Sequence, residues 1–227
     1  MDGGDERTTD GIATVTLHRM GRPPLTERRK AAMRMEIAYE AVRLFTSKGV
    51  AATSVDEIAN GVGISTRTLR RYFSTKESCV QPLLTTGLAK VTRVLGDWQP
   101  GNTISQVVDE LAALDSASGS HPADLAMTLT LIRLTRTEPS LRAVWLQFQH
   151  DHEPAIAEVL AACTGKPADD LQTKIKAAII IAALCAAAEH VAQHADDTPS
   201  GQPNTNALWT ATRTALQTAA EGLEPGH

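Results

Sequence analysis

Apolar residues recur over residues 54–60 and just beyond at intervals of three and four, the spacing that places side chains on one face of an α-helix. The positions on this face are Val55, Ile58, Ala59 and Val62. Ser54 and Glu57 stand three positions apart, so each side chain can bond the backbone N–H of the other in a capping box. The pattern predicts a short helix that begins at Ser54.

A second short helix is predicted directly after a turn. Gly61 and Gly63 supply the backbone freedom that a sharp change of direction requires, and Ser65 can cap the helix that follows. Apolar and basic side chains then separate onto opposite faces of this helix. The packing face holds Leu69, Tyr72 and Phe73, and the cationic face holds Arg67, Arg70 and Arg71.

Arginine makes the cationic face suitable for reading DNA. A guanidinium can bond O6 and N7 of guanine together, or hold a phosphate through two parallel hydrogen bonds. Thr66 and Thr68 add hydroxyl donors and a methyl group that can contact thymine. A solvated basic helix is the alternative, but the short helix, the paired glycines and the two-sided pattern coincide. We therefore interpret residues 54–76 as a helix-turn-helix.

The segment before the helix-turn-helix predicts another helix, which begins near Thr26 and is stopped by Gly49. Its apolar stripe consists of Met33, Ile37, Ala41, Leu44 and Phe45. A linking helix is predicted on the other side, from Thr75 to about Trp98. Pro82 falls inside that range and removes a backbone hydrogen bond, so we expect a kink near residues 78–79 and regard Pro82 as a candidate hinge.

The start of the linking helix carries its own signal. Ser74 and Glu77 repeat the capping-box spacing, so the linking helix is expected to begin within a few residues of the second short helix, which we call the recognition helix. This would place Lys76 beside the DNA phosphates.

Beyond residue 80 every periodic segment is helical, and no strand is predicted. Helices are expected over residues 103–114, 122–137, 140–163 with a bend at Pro154, 168–195 and 206–222, with a loop at 196–204. The fold class is therefore all-α: a three-helix DNA-binding domain joined to a helical bundle. The predicted division is a disordered tail at 1–20, the helix-turn-helix domain with a basic arm at 21–80, and a ligand-binding and dimerisation domain at 81–227.

Residues 28–80 resemble the DNA-binding domain of TetR-family transcriptional regulators. The resemblance rests on Ala41, Leu44, Phe45 and Gly49, on Ile58-Ala59 and Val62-Gly63-Ile64-Ser65, and on Tyr72-Phe73-Ser74-Thr75-Lys76-Glu77. It implies that Thr66, Arg67, Thr68 and Arg70 face bases and that Tyr72 and Lys76 hold phosphates. The full set of predicted DNA contacts is Arg22, Ser54, Ser65, Thr66, Arg67, Thr68, Arg70, Arg71, Tyr72 and Lys76.

Charge is divided unevenly along the chain. The net charge is −4, but residues 17–76 hold 12 basic and 5 acidic side chains, whereas residues 81–227 hold 9 and 16. Such a chain is expected to bind a polyanion through one surface only. Within the basic part, the Gly-Arg-Pro-Pro arm either places Arg22 in a minor groove or stays a disordered linker.

Features of secretion and membrane insertion are missing from the sequence. Cys79, Cys163 and Cys185 are widely spaced and form no CxxC pair, so neither a disulfide framework nor a zinc finger is predicted. The N-terminus lacks the order of a signal peptide. The longest apolar run, residues 177–188, is shorter than the roughly 20 residues that a bilayer requires. A cytoplasmic protein without a membrane segment is therefore predicted.

Residues 177–188 are apolar around the whole helix circumference, which predicts burial on all sides. A purely internal core helix is one explanation, and a helix shared with a dimer interface is the other. The TetR resemblance favours a homodimer, because the last two helices of each subunit form a four-helix interface in that family. The predicted interface residues are Ala182, Ala183, Ala186, Leu208, Trp209 and Leu216.

Sequence marks of catalysis are also missing. No GxSxG, P-loop, GxGxxG, HExxH or EF-hand loop occurs, so neither an enzymatic activity nor a cofactor is predicted. His190 and His194 lie one helical turn apart, and His150 and His152 flank Asp151, so a metal site is an alternative. Solvated histidines, or histidines that stabilise a helix end, explain the same pattern.

Apolar side chains on two predicted helices could line an elongated cavity in the bundle. They are Met127, Leu131, Leu134, Trp145 and Phe148, with the neighbouring Gln149. Plain core packing explains any one of them equally well. The segment PSLRAVWLQFQHDHEPAIAEVLAA and the alanine-rich helix after it resemble TetR-like regulators with acyl-CoA-like ligands, which implies a small apolar or acyl-type ligand.

These patterns predict a homodimeric, ligand-responsive transcriptional regulator. It is expected to be a repressor that binds a palindromic operator in double-stranded DNA and is released by its ligand. A nonspecific architectural DNA-binding protein that uses the same helices is the first alternative. A metal-binding bundle protein or enzyme is the second.

Overall fold

The computed structural model describes residues 25–98, 102–117, 122–194 and 205–221, in which all regular structure is helical. The α-helices of these residues are α1 (Leu25–Lys48), α2 (Val55–Gly61), α3 (Thr66–Tyr72), α4 (Gln81–Gly96), α5 (Ile104–Ala117), α6 (Pro122–Leu134), α7 (Pro139–Thr164), α8 (Leu171–His194) and α9 (Thr205–Glu221). The all-α prediction is confirmed. The predicted tail, Arg22 and the predicted loop at 196–204 lie outside the described residues.

The apolar stripe of α1 forms the centre of the N-terminal part. Ile37, Ala41 and Phe45 are buried, whereas Met33 and Leu44 are partly buried. Gly49 follows the helix with φ of 86°, a conformation in which a side chain would be strained. Because α1 packs against α2, α4 and α6, one helix supports both the helix-turn-helix and the bundle.

The predicted caps of α2 and α3 are present. Ser54 Oγ accepts a hydrogen bond from the backbone N–H of Glu57 at 3.2 Å, and the Glu57 carboxylate accepts from the Ser54 N–H at 2.8 Å. Ser65 Oγ accepts from the N–H of Thr68 at 3.2 Å. Each bond satisfies an N–H group that the first turn of a helix leaves unpaired. The start of both short helices is therefore fixed by local sequence.

The two glycines of the helix-turn-helix have different roles. Gly63 has φ of 69° and supplies the turn. Gly61, by contrast, is the last residue of α2, and a Cβ atom there would lie 2.1 Å from Glu40 Oε1 in α1. The absence of a Cβ at Gly61 therefore leaves room for the Glu40 side chain of α1, a contact that the prediction of a double-glycine turn did not include.

The capping pair before α4 differs from the predicted one. Thr75 Oγ1 accepts from the N–H of Ser78 at 3.0 Å, and Ser78 Oγ accepts from the N–H of Thr75 at 3.2 Å. The predicted pair, Ser74 and Glu77, was one residue out of register. Serine can replace glutamate in the return bond because its hydroxyl also accepts from a backbone N–H.

The helix predicted from Thr75 is in fact divided. A 3₁₀ turn occupies Glu77–Val80, and α4 begins at Gln81. Pro82 therefore lies in the first turn of α4, where the N–H that proline lacks has no helical partner to lose. The prediction of a proline inside a continuous helix was wrong, because the capping signal before it marks the 3₁₀ turn.

The bundle is built around α8, which packs against α6, α7 and α9. Its buried residues are Thr173, Ala177, Ile181, Ala183, Cys185, Ala187, Val191 and Ala192. By length and composition alone this 24-residue helix could also cross a membrane, although its uninterrupted apolar run is shorter. A helix at the centre of a bundle meets the same criteria. The helix packs on three neighbours, although only 39% of its most apolar 18 residues are buried in the single chain.

The remaining helices follow the predicted order with shifted ends. The helix α6 ends at Leu134, three residues before the predicted end, and α8 begins at Leu171. The longest helix, α7, continues through Pro154 to Thr164, where Gly165 with φ of 69° ends it. Because α4 contacts α5, α6 and α7 as well as α1, it connects the N-terminal part to the bundle.

Candidate DNA interface and ligand cavity

The cationic face of α3 is exposed. Leu69 on the opposite face is only 1% exposed, whereas Arg67, Arg70 and Arg71 all face solvent. Among the residues that the structure describes, the guanidinium groups of Arg67 and Arg70 have no hydrogen-bond or ion-pair partner. Their charge and hydrogen-bond donors are therefore available to an anionic partner.

The two threonines of α3 already have partners for their hydroxyl groups. Thr66 donates to the carboxylate of Asp56 in α2, and the hydroxyls of Thr68 and Ser65 lie 2.9 Å apart in a hydrogen bond. The bond from Thr66 joins α3 to α2 and helps to fix the angle between them. A base contact through either hydroxyl would share or replace these bonds, so the arginines are the better-placed donors.

Lys76 has partners that the sequence did not predict. Its Nζ donates to the backbone carbonyls of Val50 at 2.6 Å and Thr53 at 2.8 Å, both in the loop between α1 and α2. The partners precede Lys76 by 26 and 23 residues, so no local pattern indicates them. The ammonium has three hydrogens, and one remains for a phosphate. The contact of Lys76 with a DNA phosphate stays a prediction, whereas its hydrogen bonds to the two backbone carbonyls are present in the structure.

The loop before α2 is held from the other side by Glu57. Its carboxylate accepts from Lys48 Nζ and from the backbone N–H of Ser54. These bonds stabilise the ionised form, and together they lower the pKa of Glu57 to about 2, with the bond from Lys48 as the larger cause. Ser54, which was predicted as a DNA contact, is exposed but engaged in this cap.

Tyr72 lies at the end of the recognition helix between two cations. The guanidinium carbon of Arg34 in α1 is 5.8 Å from the centre of the tyrosine ring, and that of Arg71 is 5.6 Å from it. Both distances suit a cation–π contact. The side chain of Tyr72 is partly buried, so its ring links α1 to the last turn of α3.

A cavity of about 460 Å³ lies between the helices of the bundle. Its lining is mostly apolar and comes from α1, α4, α5, α6, α7, α8 and α9. Trp145 and Phe148, two of the predicted ligand contacts, lie on its wall. The volume falls within the range of small-molecule sites.

The predicted face of α6 is not the face that lines the cavity. Asp124, Leu125, Thr128 and Ile132 line it instead. Leu131 is buried in the core, and Met127 and Leu134 pack against the core. Gln149 on α7 is also absent from the wall. Because α6 carries apolar residues on more than one side, the sequence could not indicate which side encloses the cavity.

The aromatic wall of the cavity is fixed by a polar contact outside it. Trp145 Nε1 donates to Glu189 Oε1 at 2.6 Å, and Arg142 donates to the same oxygen at 2.7 Å. The Trp145 and Phe148 rings are stacked, with centroids 5.7 Å apart and planes 10° apart. The indole therefore has one preferred orientation, with its N–H bonded to α8 and its faces left for apolar contacts.

Polar groups also belong to the cavity wall or bond to it. Asp124 accepts a hydrogen bond from Tyr39 Oη at 2.5 Å, and Lys90 forms an ion pair with Asp115. Burial and the bond to Asp124 raise the pKa of Tyr39 to about 12, so the phenol remains protonated as a donor at neutral pH. The cavity lining thus combines many apolar side chains with a smaller set of polar groups.

Two family models match the chain. The one described as "Bacterial regulatory proteins, tetR family" matches residues 37–83, and the one described as "MftR C-terminal domain" matches residues 107–223, more than half of the chain. The chain belongs to the TetR family. Its N-terminal part is the DNA-binding domain of that family, and its C-terminal part is of the MftR type. The predicted family is therefore confirmed.

Named relatives agree with this assignment. The TetR-family chain is 27% identical over 153 residues to the HTH-type transcriptional regulator TcmR of Streptomyces glaucescens. The aligned region covers 65% of this chain and 67% of TcmR. It is 26% identical over 164 residues to the putative mycofactocin biosynthesis transcriptional regulator MftR of Mycobacterium tuberculosis. This aligned region covers 72% of this chain and 81% of MftR. Transcriptional regulation is thus the role of its named relatives.

The fold is also that of a solved TetR-like protein. The fatty acid degradation regulator FadR of Bacillus halodurans superposes with a TM-score of 0.52 over 86% of this chain and 97% of that protein, at 16% sequence identity. At this identity the likeness concerns the fold alone.

The predicted dimer residues of this TetR-family chain differ in their exposure. Ala182 and Ala186 are exposed on α8, whereas Ala183 is buried. Leu208 and Trp209 of α9 line the cavity. Leu216 is partly buried. Of the predicted set, Ala182 and Ala186 are exposed, Leu208, Trp209 and Leu216 are partly exposed, and Ala183 is buried.

The exposed face of α8 is more apolar than these alanines alone suggest. Leu171, Ile175 and Ile179 are 71%, 48% and 41% exposed and follow one another at intervals of four. At helical spacing they share a face with Ala182 and Ala186. We call these five residues the α8 stripe. The predicted burial of residues 177–188 on all sides included a partner subunit; in the single chain Ile179, Ala182 and Ala186 of this segment are exposed, and the burial of that face stays a prediction.

The histidine pairs do not assemble a metal site. In the described ranges, no group of three or more histidine, cysteine, aspartate or glutamate side chains could hold a metal ion. His194 Nδ1 lies 2.8 Å from the carbonyl of His190, and His152 Nδ1 lies 2.7 Å from the carbonyl of Phe148. These histidines bond to the preceding helical turn.

Proposed function

We propose that this TetR-family chain is a ligand-responsive transcriptional repressor that acts in the cytoplasm as a homodimer on a palindromic operator. The observation that carries the proposal is the contact between Tyr39 and Asp124. Asp124 lines the bundle cavity, and Tyr39 belongs to α1, which supports the helix-turn-helix. A small apolar or acyl-type ligand in the cavity would release the operator.

Base recognition is assigned to the cationic face of α3. Arg67 and Arg70 have exposed guanidinium groups, which favours contacts with base edges in the major groove. Arg71 and Tyr72 lie at the end of the helix, where phosphate contacts are expected. In a two-fold dimer, the two recognition helices would enter successive major grooves about 34–36 Å apart. The N-terminal arm with Arg22 would add a minor-groove contact.

Dimerisation is assigned to the α8 stripe together with the exposed side of α9. Exposed Leu171, Ile175 and Ile179 would lose contact with water in such an interface, a gain of roughly 25 cal/mol for each Å² of apolar surface. The small side chains of Ala182 and Ala186 allow two helices to approach closely. A symmetric pair of these faces forms a closed dimer, the commonest form of oligomer.

The ligand is assigned to the apolar lining of the cavity. Trp145 and Phe148 offer flat apolar surfaces, and Ile181 and Leu184 of α8 line the same cavity. Cys185 also lines it, and burial raises the pKa of its thiol to about 12, so it contributes packing instead of a reactive thiolate. These contacts suit an alkyl or acyl chain.

Release follows from differential affinity. A ligand that fits only one arrangement of α6 and α1 weakens operator binding by the same factor by which the operator weakens ligand binding. Movement of Asp124 on α6 would either displace Tyr39 or break the hydrogen bond between them. Because Tyr39 belongs to α1, the displacement would be transmitted to α2 and α3. Arrangements with different spacing of the two recognition helices cannot both match the operator.

The test is operator selection followed by ligand titration. Purified protein is used to select sequences from a random duplex pool, and affinity is then measured for the selected sequence and for a scrambled duplex at several salt concentrations. A palindromic selected site with affinity well above that for the scrambled duplex supports a regulator. Equal affinity for both duplexes, with a steep salt dependence, would instead support the architectural DNA binder.

A further inference from the structure

Arg34 is an exposed residue of α1 that contacts the recognition helix. Its guanidinium carbon lies 5.8 Å from the centre of the Tyr72 ring, within the range of a cation–π contact. Tyr72 is the last residue of α3, so the contact places a cation of α1 beside the end of the recognition helix. Arg34 was not among the predicted DNA contacts, because no local pattern joins α1 to the end of α3.

A second guanidinium contacts the same ring. It belongs to Arg71, and its central carbon lies 5.6 Å from the ring centre. Neither Arg34 nor Arg71 has a hydrogen bond or an ion pair with any residue that the structure describes. Two like charges beside one ring repel each other unless an anion offsets them. The pair is therefore suited to an anionic partner from outside the chain.

The groove beside Arg34 and Tyr72 is also positively charged. It has a volume of about 700 Å³ between α1 and α4, and its charged lining residues in the described ranges are Arg34, Lys90 and Arg93, without an aspartate or glutamate. Lys90 is paired with Asp115, whereas Arg93 is exposed and has no ion pair with a described residue. In a chain with a net charge of −4, these cations concentrate positive potential beside the end of the recognition helix.

We propose that Arg34 binds a phosphate of the DNA backbone and that the Tyr72 ring holds its guanidinium in place. A guanidinium that stacks on an aromatic ring keeps the N–H groups at its edge free, and these can bond a phosphate through two parallel hydrogen bonds. Because the ring restricts the side chain before DNA arrives, less conformational entropy is lost on binding.

The position of Arg34 suits the DNA backbone better than the bases. The N-terminal residues of a recognition helix contact base edges in helix-turn-helix proteins, whereas Arg34 reaches α3 only at its last residue. A phosphate contact adds affinity for any duplex but carries no sequence preference. The inference thus rests on the DNA-binding role assigned to α3, and not on the palindromic operator or on the ligand.

The experiment measures the affinity of the full chain for the scrambled duplex and for the selected operator at several salt concentrations. The variants are Arg34→Gln and, as a control that removes one exposed cation of the bundle, Arg136→Gln. Arg34→Gln should weaken binding to both duplexes by about tenfold, the size of one charge-assisted contact. It should also reduce the salt slope by about one unit for each Arg34 that contacts DNA. Arg136→Gln should change neither quantity.

Substitutions of Tyr72 test the role of the ring. Tyr72→Phe keeps the ring, so Arg34→Gln should weaken binding by the same factor in that background as in the wild type. Tyr72→Leu removes the ring, so the loss caused by Arg34→Gln should be smaller there. Circular dichroism checks the fold of each variant, because Tyr72 is partly buried. Arg34→Lys, which keeps the charge in the wild-type background but lacks the planar group, should bind with an affinity between those of the wild type and Arg34→Gln.

The possible contrary results differ from one another. A loss in Arg34→Gln no larger than that in Arg136→Gln would overturn the contact. Weaker binding with an unchanged salt slope would also overturn it, because Arg34 would then act only by holding Tyr72. A loss confined to the selected operator would mean that Arg34 reads a base. Full affinity in Arg34→Lys, or equal losses from Arg34→Gln in the Tyr72→Leu and wild-type backgrounds, would overturn the role of the ring. If the wild type binds neither duplex, the DNA-binding role of α3 fails and the Arg34 contact fails with it.

Discussion

Tyr39 Oη donates a 2.5 Å hydrogen bond to Asp124 Oδ1, across 85 positions of sequence. The donor lies on the helix that supports the helix-turn-helix, and the acceptor lies on the wall of the bundle cavity. Any ligand that moves α6 must either carry this bond with it or break it. The bond is therefore a direct polar connection between the cavity wall and the helix that supports the DNA-binding helices.

Tyr39→Phe should keep ligand affinity but reduce the effect of ligand on operator affinity. The variant loses only the hydroxyl, so the packing of the ring is retained while the link to Asp124 is lost. Coupling free energies of this kind are usually about 1–3 kcal/mol, and a drop of about half would be expected. The measurement is operator affinity with and without a saturating alkyl ligand, in both proteins. Identical ligand effects in the two would show that the bond transmits nothing.

Pro82→Ala is the matched comparison for that experiment. Because Pro82 lies in the first turn of α4 and interrupts no helix, its replacement should leave the ligand effect unchanged. A loss of coupling in Pro82→Ala similar to that in Tyr39→Phe would restore the hinge that the sequence predicted.

Local signals in the sequence predicted the short helices α2 and α3 and their caps, whereas distant contacts were not predictable. Ser54 and Glu57 are three positions apart and form their capping box in any context that permits a helix. The bonds of Lys76 and Tyr39 join residues 23 to 85 positions apart, and no periodicity records them. The predicted cavity failed on α6 for a related reason: that helix is apolar on several sides, and only the arrangement of its neighbours selects one.

Arg70→Ala should weaken operator binding by about 1–3 kcal/mol and relax sequence preference at one position of the site. The guanidinium is exposed on the cationic face of α3, and its loss leaves the fold intact. Affinity for the selected operator, for single-position variants of it and for a scrambled duplex gives the result. If affinity for all duplexes falls by the same factor, Arg70 contacts phosphate and does not read a base.

The main expected effect of Lys76→Ala is a lower stability of the DNA-binding domain, and an effect on DNA recognition comes second. Its ammonium holds the carbonyls of Val50 and Thr53, and loss of hydrogen bonds from a charged donor typically costs about 1.5–3 kcal/mol. Chemical denaturation measures this loss. A phosphate contact would in addition reduce the salt dependence of DNA binding by about one unit of slope. An unchanged free energy of unfolding with a reduced slope would mean that phosphate is the main partner.

The cap at Ser54 should weaken in acid. The folded-state pKa of Glu57 is about 2, below the ordinary value of 4.5, so its contribution to stability is present above about pH 4.5 and is lost as the pH falls toward 2. The difference in melting temperature between the wild type and Glu57→Gln should therefore shrink over that interval. A difference that stays constant from about pH 6 to pH 2 would show that the carboxylate charge has no part in the cap.

Ala182→Arg should produce a folded monomer. Ala182 is exposed in the α8 stripe, so an arginine there reaches solvent in the single chain but brings an unpaired charge into the proposed dimer interface. The buried Ala183 is different, because Ala183→Arg would disrupt the bundle itself. Ala162→Arg, at an exposed site on α7 away from the stripe, is the control and should leave assembly unchanged. Sedimentation velocity gives the mass, and circular dichroism confirms the fold. A dimeric Ala182→Arg, or a wild type that is already monomeric at micromolar concentration and on operator DNA, would exclude the α8 stripe as the dimer interface.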